Sequence, residues 1–328
     1  MCGIVGYIGT QPATQLLLEG LRRLEYRGYD SAGIATIWEG QITSVRAPGK
    51  LHNLQEKLRG LDSPARLGIG HTRWATHGKP EERNAHPQTD DGDRIAVVQN
   101  GIIENYRELK EDLAAAGYVF RSETDTEVVP HLIARYLAKL DQAATTQAEG
   151  PAYTMPSRLM EAVRLAIGDL QGAFALAIIG ADYSDELIVV RQQAPLSIGF
   201  GQGEFFCASD TPALVPHTRA VLSLENGEMA RLTPLGVEIF TFAGQRLIKY
   251  PQTLDWNPAA VEKQGFRHFM LKEIYEQPGV VRAFLDTYMS ADTRDWSGEG
   301  DRPLAVSMGL PAALTADVEQ IQICLLYT

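Results

Sequence analysis

The first nine residues constrain the fold of this chain more than any other segment. Residues 2–9 read CGIVGYIG, an apolar stretch with glycines at positions 3, 6 and 9. This pattern predicts a buried strand that other parts of the protein approach closely, because glycine has no side chain to keep neighbours away. Cys2 lies at the start of this strand, although the whole chain has only three cysteines. The fold must therefore place a thiol at the N-terminal end of a buried strand.

Composition excludes several classes of protein. A length of 328 residues predicts about two domains, at roughly 150 residues per domain. The longest apolar run, residues 173–181, is far shorter than the roughly 20 residues that a membrane-spanning helix needs. A net charge of -11 disfavours nucleic-acid binding, which requires a basic face. We therefore expect a protein with no membrane or nucleic-acid partner.

The cysteines and the histidines predict neither a disulfide framework nor a metal site. Cys2, Cys207 and Cys324 are odd in number and far apart, and no basic, signal-like segment precedes the first apolar stretch, so we expect a reducing cytoplasm. His71 and His77 are six residues apart, which suits neither a helical pair of ligands nor a zinc hairpin. We expect Cys207 and Cys324 to be core residues, and His86 to serve packing or hydrogen bonding.

The order of elements predicts an α+β layered domain. Apolar residues recur at helical spacing after Pro12, after Asn105 and after Glu127, whereas short apolar strands dominate residues 173–242. We expect this domain to end near residue 242. A polar linker over 243–256 and a second, incomplete region over 257–328 follow, because the single strand-like segment near the C-terminus cannot form a sheet.

Cys2 is the candidate nucleophile. Removal of Met1 would leave a thiol and a free α-amino group on one residue, and an amine with a pKa near 8 can accept the thiol proton directly or through one water. The alternative is that a small residue follows the initiator only because processing tolerates it. Position alone favours that alternative, and the motifs that follow Cys2 reverse the preference.

Six motifs occur in order through the first 242 residues: CGIVG at 2–6, RGYDSAG at 27–33, HTRWATHG at 71–78, NAHP at 84–87, NG at 100–101 and SETDTE at 122–127. Together they resemble the glutamine amidotransferases of the N-terminal nucleophile class. Residues 21–30 (LRRLEYRGYD) and 267–278 (RHFMLKEIYEQP) look more specifically like the glutamine-fructose-6-phosphate aminotransferase family. The resemblance implies a four-layer αββα sandwich over residues 1–242, followed by an incomplete α/β sugar isomerase region.

The resemblance also implies a chemical mechanism. Hydrolysis of the amide of L-glutamine passes through an oxyanion, for which Asn100 and Gly101 would supply hydrogen-bond donors. A hairpin turn is the alternative for an Asn-Gly pair, but here residues 102–105 lead to a helix. Arg27 resembles the arginine near the nucleophile, where a cation would favour the thiolate. Its position also suits a cation at a helix C-terminus.

The remaining candidate residues would bind the substrate. Arg73 has the planar fork that fits a carboxylate. Asp125, expected in the first turn of a helix, would bind the ammonium group, with a plain helix cap as the alternative. The resemblance implies that Trp74, Thr76 and His77 belong to a loop that closes over glutamine. No cofactor is expected.

The sequence departs from the family pattern at two places. Relatives commonly have a histidine at the position of Gln99, before Asn-Gly. Any role that the histidine ring has in those relatives is therefore in doubt for this chain. The strand at 321–323 leads into Cys324 and four further residues instead of the Cys-Gly-Thr-Ser loop that begins the sugar-phosphate site. We therefore expect this chain to hydrolyse glutamine only. Fructose 6-phosphate would be a substrate, and a homodimer would form, only in the full-length family enzyme.

Two alternatives remain open at this point. One is another amidotransferase, such as the amidophosphoribosyltransferase type, although residues 267–278 argue against it. The other is a non-catalytic regulator or decoy subunit that binds glutamine through the first domain. Retention of Met1 would favour this second alternative, because it would block the amine of Cys2.

Overall fold

The computed structural model describes residues 2–61, 63–146, 154–254, 265–267 and 269–288. The chain divides into two compact units, residues 1–258 and 259–328. The first unit contains two antiparallel sheets and five of the helices; the second contains the described helix over 269–288. The strands and helices are numbered here along the chain.

The first sheet has eight strands in the spatial order β15-β11-β9-β10-β1-β4-β2-β3. Their bounds are Gly3–Ile8 (β1), Ser31–Trp38 (β2), Gln41–Pro48 (β3), Leu67–Arg73 (β4), Ser197–Phe200 (β9), Phe205–Ala208 (β10), Ala220–Ser223 (β11) and Gln252–Thr253 (β15). The N-terminal strand β1 is central, because it pairs with β10 on one side and with β4 on the other.

The second sheet has seven strands in the order β14-β13-β12-β8-β7-β6-β5. Their bounds are Gln88–Thr89 (β5), Ile95–Ile103 (β6), Gly172–Gly180 (β7), Leu187–Gln192 (β8), Glu228–Thr233 (β12), Gly236–Thr241 (β13) and Arg246–Leu247 (β14). The helices are Ala13–Leu24 (α1), Leu51–Leu58 (α2), Tyr106–Ala115 (α3), Val128–Thr146 (α4), Arg158–Gly168 (α5) and Phe269–Tyr288 (α6).

Three apolar clusters divide the first unit into four layers. Side chains alternate between the two faces of a strand, so β1 contributes Ile4 and Ile8 to the cluster between the sheets, and Val5 and Tyr7 to the cluster under α1 and α2. Strand β7 likewise faces the inner cluster with alternate residues and the cluster under α4 and α5 with the others. The expected αββα sandwich is confirmed.

Neighbours approach the glycines of β1 closely, as the sequence predicts. A Cβ at Gly3 would lie 2.6 Å from Thr72 Oγ1 and 2.7 Å from Leu24 Cβ. A Cβ at Gly6 would lie 2.5 Å from Cys207 Sγ. These distances are too short for any side chain, so the two glycines leave room beside β1 for the side chains of Thr72, Leu24 and Cys207.

The structure differs from the sequence-based prediction in three segments, and a fourth is not described. The expected linker over 243–256 contributes two short strands, β14 beside β13 and β15 beside β11. The polar, Ala-rich residues 141–156 predict a loop, but helix α4 continues to Thr146. The pair Pro278-Gly279 predicts a turn, but helix α6 continues through Pro278. The strand-like segment at 321–323, Cys324 and most of the region expected to resemble a sugar isomerase lie outside the described residues.

Candidate active site

The candidate nucleophile lies where β1 begins and β4 ends. Gly3 is opposite Thr72 in the antiparallel ladder, which brings Cys2 beside the residues that follow Thr72. The backbone N–H of Trp74 donates to Cys2 Sγ at 3.2 Å, and the thiol lies 3.5 Å from the Trp74 carbonyl oxygen. Strand pairing therefore fixes the position of the thiol, although the two residues are 72 positions apart in the chain.

Burial controls the ionisation of Cys2. It raises the pKa of the thiol, while the Trp74 N–H and the positive charge of Arg73 lower that pKa, and the negative charge of Asp125 raises it. The net shift is upward, which favours the neutral thiol. A nucleophile in this environment needs a base to take its proton.

Asn100 and Gly101 belong to strand β6, so the hairpin-turn alternative is wrong. Both residues pair with β7, Asn100 opposite Ala175 and Gly101 opposite Phe174. The side-chain amide of Asn100 donates from Nδ2 to the Cys2 carbonyl oxygen at 3.0 Å. Gly101 has φ +99°, and a Cβ there would lie 2.0 Å from the carbonyl oxygen of Ala173, so only glycine fits at this position.

Asp125 precedes α4 and does not lie in its first turn, which corrects the expected position. Its Oδ2 accepts the backbone N–H of Ile103 at 2.8 Å and the side-chain amide of Gln99 at 3.0 Å. Both donors belong to β6, so this carboxylate is anchored to the strand that carries Asn100. The other oxygen, Oδ1, lies 4.0 Å from His77 Nδ1.

Arg73 ends strand β4 and supports the loop that follows. Its guanidinium donates to the carbonyl oxygen of His77, and to that of Lys79 at 3.5 Å. Burial lowers the pKa of Arg73, and the charges of Cys2, Asp125 and Asp30 oppose that shift. A positive and a negative side chain therefore flank the same thiol.

The loop after Arg73 carries the other three predicted binding residues. The Trp74 side chain is 45% exposed and packs edge-on against Tyr29, with ring centroids 5.6 Å apart. His77 Nδ1 lies 3.3 Å from Thr76 Oγ1, and the His77 ring packs edge-on against Tyr106 at 5.4 Å. Contact of these residues with a ligand remains a prediction.

Part of the chain matches a known domain family. Residues 71–216, which include Arg73, Asn100 and Asp125, match the family model described as "Glutamine amidotransferase domain". This stretch of the chain is similar to a glutamine amidotransferase domain. The match begins at His71, a fully buried residue of strand β4, which pairs with the strand that follows Cys2.

The curated relatives described here share one name. Over 98% of its length, the chain is 64% identical to a protein of Thermosynechococcus vestitus named "Glutamine--fructose-6-phosphate aminotransferase (isomerizing)" and covers 49% of that protein. A protein of the same name from Nostoc sp. is 63% identical, with the same coverage of both chains. The chain spans about half the length of the curated relatives it matches, and it corresponds to their glutaminase half.

Solved structures share the fold. The glutamine phosphoribosylpyrophosphate amidotransferase of B. subtilis superimposes with a TM-score of 0.59 and 27% identity, covering 74% of this chain and 49% of the other. A structure described as the allosteric regulatory enzyme of purine biosynthesis gives a TM-score of 0.60 with the same identity and coverage. The two antiparallel sheets and their helices are therefore those of an N-terminal nucleophile amidotransferase.

Arg27 forms an ion pair in the first unit. It ends a short 3-10 turn over 25–27, and its guanidinium contacts Asp210. Tyr26 also donates to Asp210, at 2.7 Å. The positive charges that lower the pKa of the Cys2 thiol are those of the N-terminus and of Arg73, so an influence of Arg27 on this thiol remains a prediction.

The sequence does not reveal a buried polar network behind strand β6. His71 Nε2 lies 3.1 Å from Asn100 Oδ1, and the His71 ring stacks on His86 at 4.3 Å. His86 in turn accepts the Gln99 backbone N–H at Nδ1 (3.3 Å), and its Nε2 lies 3.1 Å from Thr126 Oγ1. Burial lowers the pKa of both rings, that of His71 to about 3. The prediction for His86 is confirmed, whereas His71 and Gln99 had no assigned role.

Two of these missed residues had a signal in the sequence. Gln99 and His71 are polar residues inside apolar strand patterns, and a buried polar side chain needs a partner. Asp30, which was part of a quoted motif without a role, accepts the backbone N–H of Ala75 at 2.8 Å and so holds the loop after Arg73. The identity of each partner required the fold.

Cys207 is buried in β10, and burial raises its pKa to about 12, as expected of a core thiol. Within the described ranges, no group of three or more His, Cys, Asp or Glu side chains could hold a metal ion. Of the helices in those ranges, none has the length and apolar character required to cross a membrane.

Proposed function

We propose that this chain hydrolyses L-glutamine to glutamate and ammonia, with the Cys2 thiol as the nucleophile. One observation carries the proposal. The folded chain collects a thiol, an amide donor, a cation and an anion around the start of β1, from Cys2, Asn100, Arg73 and Asp125. A free amino acid with a reactive side-chain amide needs that set of groups.

The reaction begins with proton transfer from the thiol. After removal of Met1, the α-amine of Cys2 takes this proton, because burial otherwise keeps the thiol neutral. The sulfur then attacks the side-chain amide carbon of glutamine, and the carbonyl oxygen becomes an oxyanion. Asn100 Nδ2 and the Gly101 N–H donate to this oxyanion. The C–N bond breaks, the amine proton passes to the leaving nitrogen, and ammonia departs. Water then hydrolyses the thioester to glutamate.

Two opposite charges bind the backbone of the substrate. The guanidinium of Arg73 pairs with the α-carboxylate, since a planar fork matches two carboxylate oxygens. Asp125 Oδ1 receives the α-ammonium group, because Oδ2 is already bonded to Ile103 and Gln99. Trp74, Thr76 and His77 close over the bound glutamine. Arg27 adds positive charge to the surroundings of the thiol.

For the whole protein we propose that the ammonia is transferred to fructose 6-phosphate. The names of the relatives at 64% and 63% identity support this acceptor over phosphoribosyl pyrophosphate, whose enzyme shares 27% identity. In this proposal residues 1–242 form the catalytic domain, 243–256 connect it to the region over 257–328, and the reaction takes place in the cytoplasm. The intact enzyme acts as a homodimer.

The test is a glutaminase assay on protein whose N-terminus has been checked by mass spectrometry. Glutamate and ammonia are measured for the unaltered chain, for Cys2→Ala and for Cys207→Ala. Cys207 is the matched control, because it removes a thiol from the core of the same sheet. We expect activity in the unaltered chain and in Cys207→Ala, and its loss in Cys2→Ala. Cys2→Ala should still bind glutamine in calorimetry.

Three results would contradict the proposal. Ammonia release by Cys2→Ala at the rate of the unaltered chain would exclude Cys2 as the nucleophile. Glutamine binding without hydrolysis, on chains that have lost Met1, would indicate the non-catalytic regulator. An electrophilic glutamine analogue that labels Cys207 instead of Cys2 would place the reaction elsewhere.

A further inference from the structure

The polar network behind β6 contains a residue that controls the oxyanion donor. We propose that His71 is a positioning residue, whose neutral imidazole donates from Nε2 to Asn100 Oδ1 and so keeps Asn100 Nδ2 directed to the reacting end of the site. The inference rests on the proposed function, because it requires Asn100 to stabilise an oxyanion.

The orientation of the Asn100 amide follows from its two contacts. The carbonyl oxygen of Cys2 can only accept a hydrogen bond, so the amide atom 3.0 Å from it must be the nitrogen. The amide oxygen then faces His71 Nε2, at 3.1 Å. Because this oxygen also only accepts, Nε2 of His71 must carry the proton.

The surroundings of His71 favour a single tautomer. The residue is fully buried, and its Nδ1 has no hydrogen-bond partner among the described residues. A neutral imidazole has one N–H group, and Asn100 Oδ1 is the acceptor at hydrogen-bond distance from Nε2. Charging this ring would require burying an unpaired cation, which is unfavourable. His71 is therefore a neutral donor with one target.

The ring is also held in place from behind. His86 stacks on it with centroids 4.3 Å apart, and His86 is fixed at both nitrogens by Gln99 and Thr126. A path of contacts therefore runs from the Gln99 backbone in β6, through the rings of His86 and His71, to the side chain of Asn100 on the same strand. This closed path limits rotation of the Asn100 amide.

Loss of the His71 donor removes one of the two contacts that orient this amide. If the amide turned by half a rotation, its oxygen would face the developing negative charge of the substrate. Removing one oxyanion donor lowers kcat by about a hundredfold to a thousandfold. A disoriented donor should therefore cost kcat about tenfold or more, with little effect on KM, because Asn100 acts on the transition state.

The decisive variants are His71→Gln and His71→Asn, compared on the glutaminase reaction. Both carry an amide, but the Gln amide nitrogen reaches the position of the imidazole Nε2, whereas the Asn side chain is one methylene too short. We expect His71→Asn to lose about tenfold or more in kcat with an unchanged KM, and His71→Gln to stay within about threefold of the unaltered chain. In an Asn100→Ala background, His71→Asn should cost less than about threefold, since the two residues act together.

A measurement without any variant complements the kinetics. In protein with 15N-labelled histidine, NMR should show His71 protonated at Nε2 and neutral at pH 7. The Nδ1–H tautomer would overturn the inference, as would equal losses of kcat in His71→Gln and His71→Asn. A His71→Asn effect on kcat that is as large in the Asn100→Ala background as in the unaltered chain would also overturn it.

The outcome for Asn100→Ala separates the two hypotheses. Full kcat in Asn100→Ala would refute the oxyanion role of Asn100, and this inference would fall with it. A large loss in Asn100→Ala together with full kcat in His71→Asn would refute the positioning role alone and leave the proposed function intact.

Discussion

Acid should destabilise this protein through its buried histidines, and His71→Gln tests the size of the effect. Burial lowers the pKa of His71 from its usual 6.5 to about 3. Between these two values the unfolded chain binds a proton at this position and the folded chain does not. The free energy of unfolding must therefore decrease as the pH falls from 6.5 towards 3.

The magnitude follows from the two pKa values. At pH 7.5 both states are neutral, and the contribution is close to zero. At pH 5 the unfolded histidine is almost fully protonated, and the unfolded state gains about 2 kcal/mol relative to the folded state. His71→Gln cannot bind this proton, so its loss of stability between pH 7.5 and pH 5 should be smaller by about 2 kcal/mol. Burial, the largest cause of the lowered pKa of His86, is common to both proteins, so the contribution of His86 nearly cancels in the comparison.

The assay is urea unfolding at both pH values, followed by circular dichroism of the sheet signal. His52→Gln is the control, because it removes an exposed imidazole from α2. We expect His52→Gln to keep the pH dependence of the unaltered chain. An equal decrease in the free energy of unfolding for His71→Gln and the unaltered chain would refute the argument that His71 is neutral and buried in the folded state.

Three further predictions concern the site. Asp125→Asn should raise the KM for glutamine about tenfold or more, because a charge-assisted bond to the substrate ammonium contributes about 1.5–3 kcal/mol; steady-state kinetics would contradict this with an unchanged KM. Gln99→Leu should also raise KM, with kcat largely retained, since it removes one of the two donors that orient the Asp125 carboxylate; a loss confined to kcat would be evidence against that role. Gly101→Ala should lower the melting temperature far more than Gly117→Ala, because both glycines have nearly the same positive φ and only Gly101 meets the Ala173 carbonyl oxygen; equal melting temperatures would refute the steric argument.

The fold was accessible to sequence reasoning where local patterns carry the information. The apolar stretch with its glycine spacing predicted a strand over residues 2–9, within one residue of the observed bounds of β1 at each end. The extent of β6 was predicted less well, since Asn100-Gly101 has the local signature of a turn. In the structure β6 continues to Ile103, because pairing with β7 outweighs the local preference.

The candidate site was predictable as a set of residues and not as an arrangement. The motifs identified Cys2, Arg73, Asn100 and Asp125, which the fold brings to one place. The hydrogen bond from Gln99 to Asp125 had no signal beyond a polar residue in an apolar strand. Its partner is 26 positions away, and sequence spacing does not specify which carboxylate such an amide will reach.

The sequence by itself determined the chemistry that is available: a thiol beside the chain terminus, an amide and a glycine after an apolar run, and one cation and one anion for an amino acid. Only the tertiary structure decided how these groups act on one another. The raised pKa of Cys2, the neutral state of His71 and the orientation of Asn100 all arise from burial and from contacts between distant strands. Desolvation and hydrogen bonding depend on what surrounds a group in space, and that is set when the two sheets pack.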